Sequence, residues 1–407
     1  MEQEVTLTTF TYSGDAMGRL DDGRAVFVPF GLPGERVRIR LTEEKRSFAR
    51  GELVEVLEAS PHRVIPRCIH FGVCGGCHYQ NLPYEEQLKA KTEILRDQLI
   101  RIGKIENPPV QQMVACPNPW NYRNHVQFHL TKDGRLGYVG AGTTSAQAII
   151  PISECHLPEA SINSLWPQLE FETNIGRVSL RAGNDEDLML VLESDSSEPP
   201  ELEIEAGISV AHVYEDNAVV IAGNDHIIIR VLDRDFRVSA ASFFQVNTVM
   251  AEKMIHHLLA NLPVSSSTTL LDVYCGVGLF SAFLAPKCKT VIGIESSESA
   301  CEDFVVNLDE FDNVELYEGS AEDVIPHLEV KPEVVLVDPP RAGLEKRVVG
   351  GILKLNPQVI AYVSCDPSTL ARDAARLING GYRLKDVTPF DMFPQTYHIE
   401  SISLFER

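Results

Sequence analysis

The chain has 407 residues, 44% hydrophobic and 23% charged, which suits two or three globular domains and excludes a disordered or fibrous protein. No run approaches the ~18 continuous apolar residues of a membrane span, and the first residues hold neither a basic nor an apolar leader, so a cytoplasmic location is expected. A net charge of −22 argues against a polyanionic partner, but the charge is uneven: Asn184–Gly207 holds nine acids and no base, whereas Arg36–Arg50 holds six bases against two acids.

Residues 1–58 read as short strands at Thr6–Tyr12, Ala25–Val28, Glu35–Leu41 and Gly51–Leu57, broken by glycine turns, the pattern of a small OB-like β-barrel. Lys45, Arg46, Phe48 and Arg50 are expected on one connecting loop. A basic loop with an aromatic residue is a common way to hold an oligonucleotide, and a solvated turn is the plain alternative.

A second segment, 59–235, opens with Cys68-x5-Cys74-Gly-Gly-Cys77 and the helical pattern Tyr84–Ile102. Three thiols so close together, with glycines that let the backbone wrap, form a metal-ligand loop. Iron–sulfur and zinc centres want four ligands; Cys155 is the best remote fourth and Cys116 its competitor. A closed four-Cys [4Fe–4S] cluster is the first expectation and zinc the second. The rest of the segment reads as mixed α+β, with His125–Leu130 and Val210–Val231 strand-like. Asp185–Pro200 reads as an acidic, solvated hairpin or insertion.

From about residue 236 the pattern is α/β. The amphipathic Thr248–Leu262 precedes a strand, Thr269–Tyr274, that runs into Asp272-Val-Tyr-Cys-Gly-Val-Gly. Further strands are expected at Thr290–Ile294, Val314–Tyr317, Val334–Val337 and Ile360–Val363. Glu295 closes the second, 19 residues after Gly276, where an acid can take ribose hydroxyls. A G-x-G turn without the third glycine favours an S-adenosylmethionine site over a dinucleotide site. The last two strands deliver Asp338-Pro-Pro and Ser364-Cys365-Asp366-Pro367, a carboxylate and a thiol, to the edge where open α/β sheets bind ligands. The bland reading of Cys365 is one more small buried apolar residue.

Together these residues resemble the RNA uracil-C5 methyltransferases that carry an iron–sulfur cluster. The resemblance spans nearly the whole chain: the leading TRAM barrel, the Cys68/Cys74/Cys77 loop with Cys155, Phe243-Phe244-Gln245-Val246-Asn247, Asp272-x-Tyr274-Cys-Gly-x-Gly, Asp338-Pro-Pro-Arg341-Ala-Gly343, Ser364-Cys365-Asp366-Pro367 and His398-Ile-Glu400-Ser401. It implies a class I, Rossmann-like methyltransferase domain over 236–407. It also implies S-adenosylmethionine as cofactor, contacted by Gln245, Tyr274, Glu295, Ser320 and Asp338. Cys365 would be the nucleophile, Glu400 the base, and Cys68, Cys74, Cys77 and Cys155 the cluster ligands. Leu279 departs from the family, which often has Asn or Thr there. RNA is the implied partner, with 23S rRNA favoured and tRNA the runner-up, acted on by a monomer. The competing expectations are an amino-group methyltransferase, which needs no nucleophilic Cys, and a silent iron–sulfur RNA-binding module.

Overall fold

The computed structural model describes residues 2–142, 148–171, 175–185, 187–200, 207–215 and 217–407. At the N-terminus β1 (Glu2–Phe10), β2 (Ala16–Arg19), β3 (Ala25–Val28), β4 (Arg36–Glu44) and β5 (Phe48–Glu58) close into a barrel. Period-two alternation turns Val5, Leu7, Val26, Val28, Val37, Ile39 and Ala49 into its interior. The outward arginines of β4 do not form a free basic face. Arg36 pairs with Glu4 and Glu58, Arg38 with Glu4 and Glu55, and Arg40 with Glu2 and Glu52. Phe48 and Arg50, expected on a loop, lie within β5, and Arg50 pairs with Asp15 and Glu43. Among the described residues Arg46 is the cation of this stretch left without an ion pair.

The next helix, α1 (Tyr84–Arg101), starts with Glu85 and Glu86 and ends with Arg101, as the helix dipole favours. Its buried face carries Ile94, Leu95 and Leu99, and also Lys91, whose ammonium reaches Asp391 at 2.6 Å and the Phe393 carbonyl at 3.0 Å. Past α1 the chain runs beside the last strands, with bridges from Val110 to Val387 and from Val114 to Phe390.

The central sheet is built from β6 (His125–Leu130), β7 (Leu136–Val139), β8 (Ile149–Pro151), β9 (Arg177–Ala182), β10 (Leu188–Glu193), β11 (Ser209–Tyr214) and β12 (Asn217–Ala222). Its order is β12-β11-β10-β9-β6-β7-β8, with α2 (Ala160–Leu165) against it. β10 corrects the reading of Asp185–Pro200 as a solvated segment. The run Leu-Met-Leu-Val-Leu is buried mid-sheet, and the flanking acids had masked it.

A hairpin, β13 (His226–Val231) and β14 (Arg234–Ser239), shares its hydrophobic core with α3 (Thr248–Asn261) and the C-terminal sheet. That sheet comprises β15 (Thr269–Val273), β16 (Thr290–Glu295), β17 (Val314–Glu318), β18 (Val334–Val337), β19 (Val359–Ser364), β20 (Arg383–Phe390) and β21 (Glu400–Glu406). In space they run β17-β16-β15-β18-β19-β21-β20, parallel except for β21, which is antiparallel to both neighbours. The connecting helices are α4 (Leu279–Leu284), α5 (Glu298–Asn307), α6 (Ala321–Val324), α7 (Lys346–Leu355) and α8 (Pro367–Asn379). The runs Val-Val-Leu-Val in β18 and Val-Ile-Ala-Tyr-Val in β19 are fully buried, as strands covered on both faces must be. Strand order reverses between β15 and β18, and the carboxyl ends at such a point are where open α/β sheets place their ligand crevice. Among the described residues no helix is long and apolar enough to cross a membrane.

Candidate active site

Three carboxylates and a glycine turn make one half of the crevice. After β15 the backbone enters the left-handed region at Tyr274 (φ 66°), Gly276 (φ 54°) and Gly278 (φ 89°). A Cβ on Gly278 would stand 2.3 Å from Leu308, so that glycine serves packing. A Cβ on Gly276 would meet nothing within 4 Å, so there the backbone faces open space a ligand can approach. Glu295, at the end of β16, accepts from the Gly276 N–H at 2.9 Å and from the N–H groups of Ser296 and Ser297. Asp272 is buried beneath the turn, where one oxygen accepts from Ser281 at 2.6 Å and the other has no hydrogen-bond partner among the described residues. Burial pushes its carboxyl up to about 7. Burial, then the charges of Asp272 and Glu295, does the same to Asp338 at the end of β18. Buried acids short of partners are a lining that favours a positively charged ligand.

The other half is built from β19 and β21. Ser364 pairs with Ser401 at the end of the antiparallel ladder, which brings Cys365, just past β19, near Glu400, the first residue of β21. Burial, then the charges of Glu400 and Asp338, pushes the Cys365 thiol up to about 12, with Arg341 acting in the opposite sense. Glu400 is itself buried, and desolvation followed by Asp338 raises its carboxyl well above the usual range. Asp366 caps α8, accepting from the N–H groups of Ser368 and Thr369. The loop 338–344 is tied down by Asp373 of α8, which accepts from the Leu344 N–H at 2.8 Å and the Tyr362 hydroxyl at 3.0 Å.

The remaining expected contacts lie as follows. Gln245 is buried and its carbonyl accepts from the Asn124 side chain at 3.0 Å, which ties the residue before β6 to the Phe-Phe-Gln-Val-Asn motif. The Tyr274 phenol lies against Glu322 and Glu345. Ser320 caps α6 and donates to Asp323 at 2.8 Å. Leu279 is buried in the apolar core rather than turned to the crevice. Sequence reasoning missed Arg341 and Tyr12 as charge and hydrogen-bond partners of the crevice. Arg341 could have been found from its place in Asp338-Pro-Pro-Arg341.

A second cavity, of about 330 Å³, is lined by Cys68, Cys74, Cys77 and Cys155 together with Arg123, Tyr397 and His398. Cys116 is elsewhere, buried between Asn118 and Asn247. Burial pushes the Cys77 thiol up to about 12 and Cys155 up to about 11. Among the described residues no group of three or more His, Cys, Asp or Glu side chains is arranged to hold a metal ion as it stands.

A mostly parallel sheet with a reversed strand order, an open glycine turn and an acid at the next strand end define an S-adenosylmethionine-dependent methyltransferase. The TRAM domain family matches residues 1–54, and the tRNA (Uracil-5-)-methyltransferase family matches 224–332 and 325–407. An uncharacterized RNA methyltransferase of Caldanaerobacter subterraneus subsp. tengcongensis is 36% identical, over 99% of this chain and 98% of that relative. Another, of Halalkalibacterium halodurans, is 34% identical over 99% and 96%. Among solved structures, the Pyrococcus abyssi tRNA (uracil-54, C5)-methyltransferase in complex with S-adenosyl-L-homocysteine matches with a TM-score of 0.75 and 26% identity, covering 100% of both chains. The chain belongs to the RNA uracil-C5 methyltransferase family.

Proposed function

We propose that the chain methylates C5 of a uridine in RNA, with Cys365 as nucleophile and Glu400 as base. The observation that supports this is that Cys365, one residue past β19, and Glu400, the first residue of β21, lie close enough for the Glu400 and Asp338 charges to act on the thiol. Uracil C5 is a poor nucleophile until a group adds to C6. The Cys365 thiol gives up its proton to solvent, its sulfur forms the S–C6 bond, and the electron pair displaced from the C5–C6 double bond lets C5 take a methyl group. Glu400 then accepts the C5 proton, and the S–C6 bond breaks to return the thiolate.

Bound S-adenosylmethionine supplies that methyl as an electrophilic sulfonium, and Gln245, Tyr274, Glu295, Ser320 and Asp338 are the residues proposed to surround it. In the free site burial and like charge hold protons on Cys365 and Glu400. Positive charge placed beside Asp338 relieves the repulsion that helps to hold them. The target base must leave its stack to reach Cys365. A cavity of about 480 Å³ lined by Phe30 and Arg50 of the barrel, His78, and Gln127 and His129 of β6 supports a path for flanking nucleotides. Phe243, 68% exposed, is available for stacking.

A [4Fe–4S] cluster with Cys68, Cys74, Cys77 and Cys155 as ligands is the proposed occupant of this cavity, supported by four thiols lining one space, beside His70, His78, Glu154 and His156. A closed four-thiolate site offers no open coordination position, so its proposed role is structural. The three segments 1–58, 59–235 and 236–407 would then grip RNA, carry the cluster and perform the chemistry. The favoured pool is 23S rRNA, from the resemblance to barrel-plus-cluster enzymes. The full-length likeness to an archaeal tRNA enzyme makes tRNA the competing pool.

The test is methyl transfer from labelled S-adenosylmethionine to 23S rRNA and to tRNA from cells lacking this gene, with the product nucleoside identified by mass. The expected product is 5-methyluridine in one pool. Cys365→Ala should lose roughly a thousandfold or more in rate. Glu400→Gln should accumulate a covalent protein–RNA adduct, because C5 keeps its proton. Full methylation by Cys365→Ala would sink the mechanism.

A further inference from the structure

Tyr12 lies just past β1 on the barrel, 354 positions from its hydrogen-bond partner. Its hydroxyl donates at 2.9 Å to Oδ2 of Asp366, the residue that follows Cys365. The two oxygens of Asp366 have separate duties. Oδ1 accepts from the N–H groups of Ser368 and Thr369 and from the Ser368 hydroxyl, which fixes the first turn of α8. Oδ2 has Tyr12 as its one partner among the described residues. The Tyr12 ring also meets Tyr397 edge-on, with centroids 5.9 Å apart, and Tyr397 in turn contacts His398 at 4.4 Å, two residues before Glu400. One side chain of the barrel thus touches the loop of the nucleophile and the segment that leads into the base.

We propose that Tyr12 is a positioning residue for the nucleophile: through Asp366 the barrel fixes the Cys365 loop and draws off negative charge that faces the thiol. The inference rests on the reading of Cys365 as nucleophile. The titratable groups around Cys365 are Glu400 from β21, Asp338 and Arg341 from the loop after β18, and Asp366 from its own loop. Asp366 is ionised. Against the cost of burial, hydrogen bonds from Ser368, Thr369 and Tyr12 hold its carboxyl below the usual range. The Tyr12 hydroxyl, facing Asp366, Tyr397 and Arg341, stays a donor, since burial and then the Asp366 charge raise it well above its ordinary value. Without that donor the Asp366 charge faces the thiol undiminished and the loop loses its tether to the barrel.

The test is Tyr12→Phe in the full chain, which keeps the ring and removes the donor. Alkylation of the Cys365 peptide, followed by mass across a pH series without RNA, should shift to higher pH. At fixed pH that is a rate lower by roughly threefold to tenfold. In turnover, kcat should fall by a similar factor with KM for RNA unchanged. Asp366→Asn keeps the helix cap but removes the charge. It should move the alkylation profile to lower pH and leave Tyr12→Phe with little further effect when the two are combined, a non-additivity that a general loss of fold would not give. Should Tyr12→Phe fail to fold, the Asp366→Asn profile alone decides. An unchanged alkylation profile in both variants, or a change confined to KM for RNA, would overturn the proposal. Loss of methylation in Cys365→Ala is read separately, so failure of the nucleophile reading and failure of this one are distinct.

Discussion

Asp272 and Asp338 set the electrostatic character of the crevice more than any cation does. Each carboxyl lies near 7, against ~3.9 in an unfolded chain, mainly because burial penalises its ionised form. Each therefore takes up a proton on folding. The stability this gives is complete below pH ~4 and is lost as the pH rises through about 7. A cationic ligand reverses that preference, whereas a neutral thioether does not. Binding measured calorimetrically at pH 6 and pH 8 should show S-adenosylmethionine gaining roughly threefold to tenfold in affinity over S-adenosylhomocysteine. A ratio independent of pH would mean these acids do not face the sulfonium. At this scale the sequence showed its strand-end residues, because Asp338, Cys365 and Glu400 each sit in a contiguous motif. Tyr12 was hidden, since nothing in Thr-Phe-Thr-Tyr-Ser-Gly marks a contact with position 366.

The loop between β18 and α7 is shaped by α8 rather than by its own prolines alone. Asp373 is fully buried and accepts from Leu344, Tyr362, Arg372 and Arg376, while Arg372 also reaches the carbonyls of Ala342 and Leu344. Gly343 (φ 71°) passes so close that a Cβ would stand 2.5 Å from the Asp373 carboxylate. Asp373→Ala should cost about 1–3 kcal/mol in chemical denaturation, as expected when the buried Leu344 N–H and Tyr362 hydroxyl lose their acceptor. It should also raise hydrogen exchange in 338–344. A stable variant with an unchanged loop would show that the prolines suffice. Element type was legible where period and turns agreed, as in β15 through β19. It failed at β10, where local acidity outweighed an apolar run in the reading; at β5 the strand was legible but its start was not, since Phe48 and Arg50 belong to it.

Across the molecule, charge is spent locally. The barrel's arginines face glutamates on neighbouring strands, so a stretch that looks basic in sequence is largely neutralised. Sequence shows composition but not cross-strand register, which is why the neutralisation was unreadable. The four-thiol cavity joins the Cys68–Cys77 loop to Cys155 of the central domain and to Tyr397 and His398 near the base. If a cluster sits there, Cys155→Ala purified without oxygen should lose iron and melt several degrees lower, roughly 1–2 kcal/mol. S-adenosylmethionine affinity should stay within about twofold, since no cluster ligand lines the glycine turn. Iron content equal to wild type would remove Cys155 from the ligand set. The Lys91–Asp391 pair carries one more meaning. A wholly buried ammonium whose partner lies 300 residues downstream cannot be desolvated while the chain is still being synthesised. The inner face of α1 must wait in water until residue 391 has been made, so the N-terminal barrel can close early but the joint between α1 and the end of the catalytic sheet forms late.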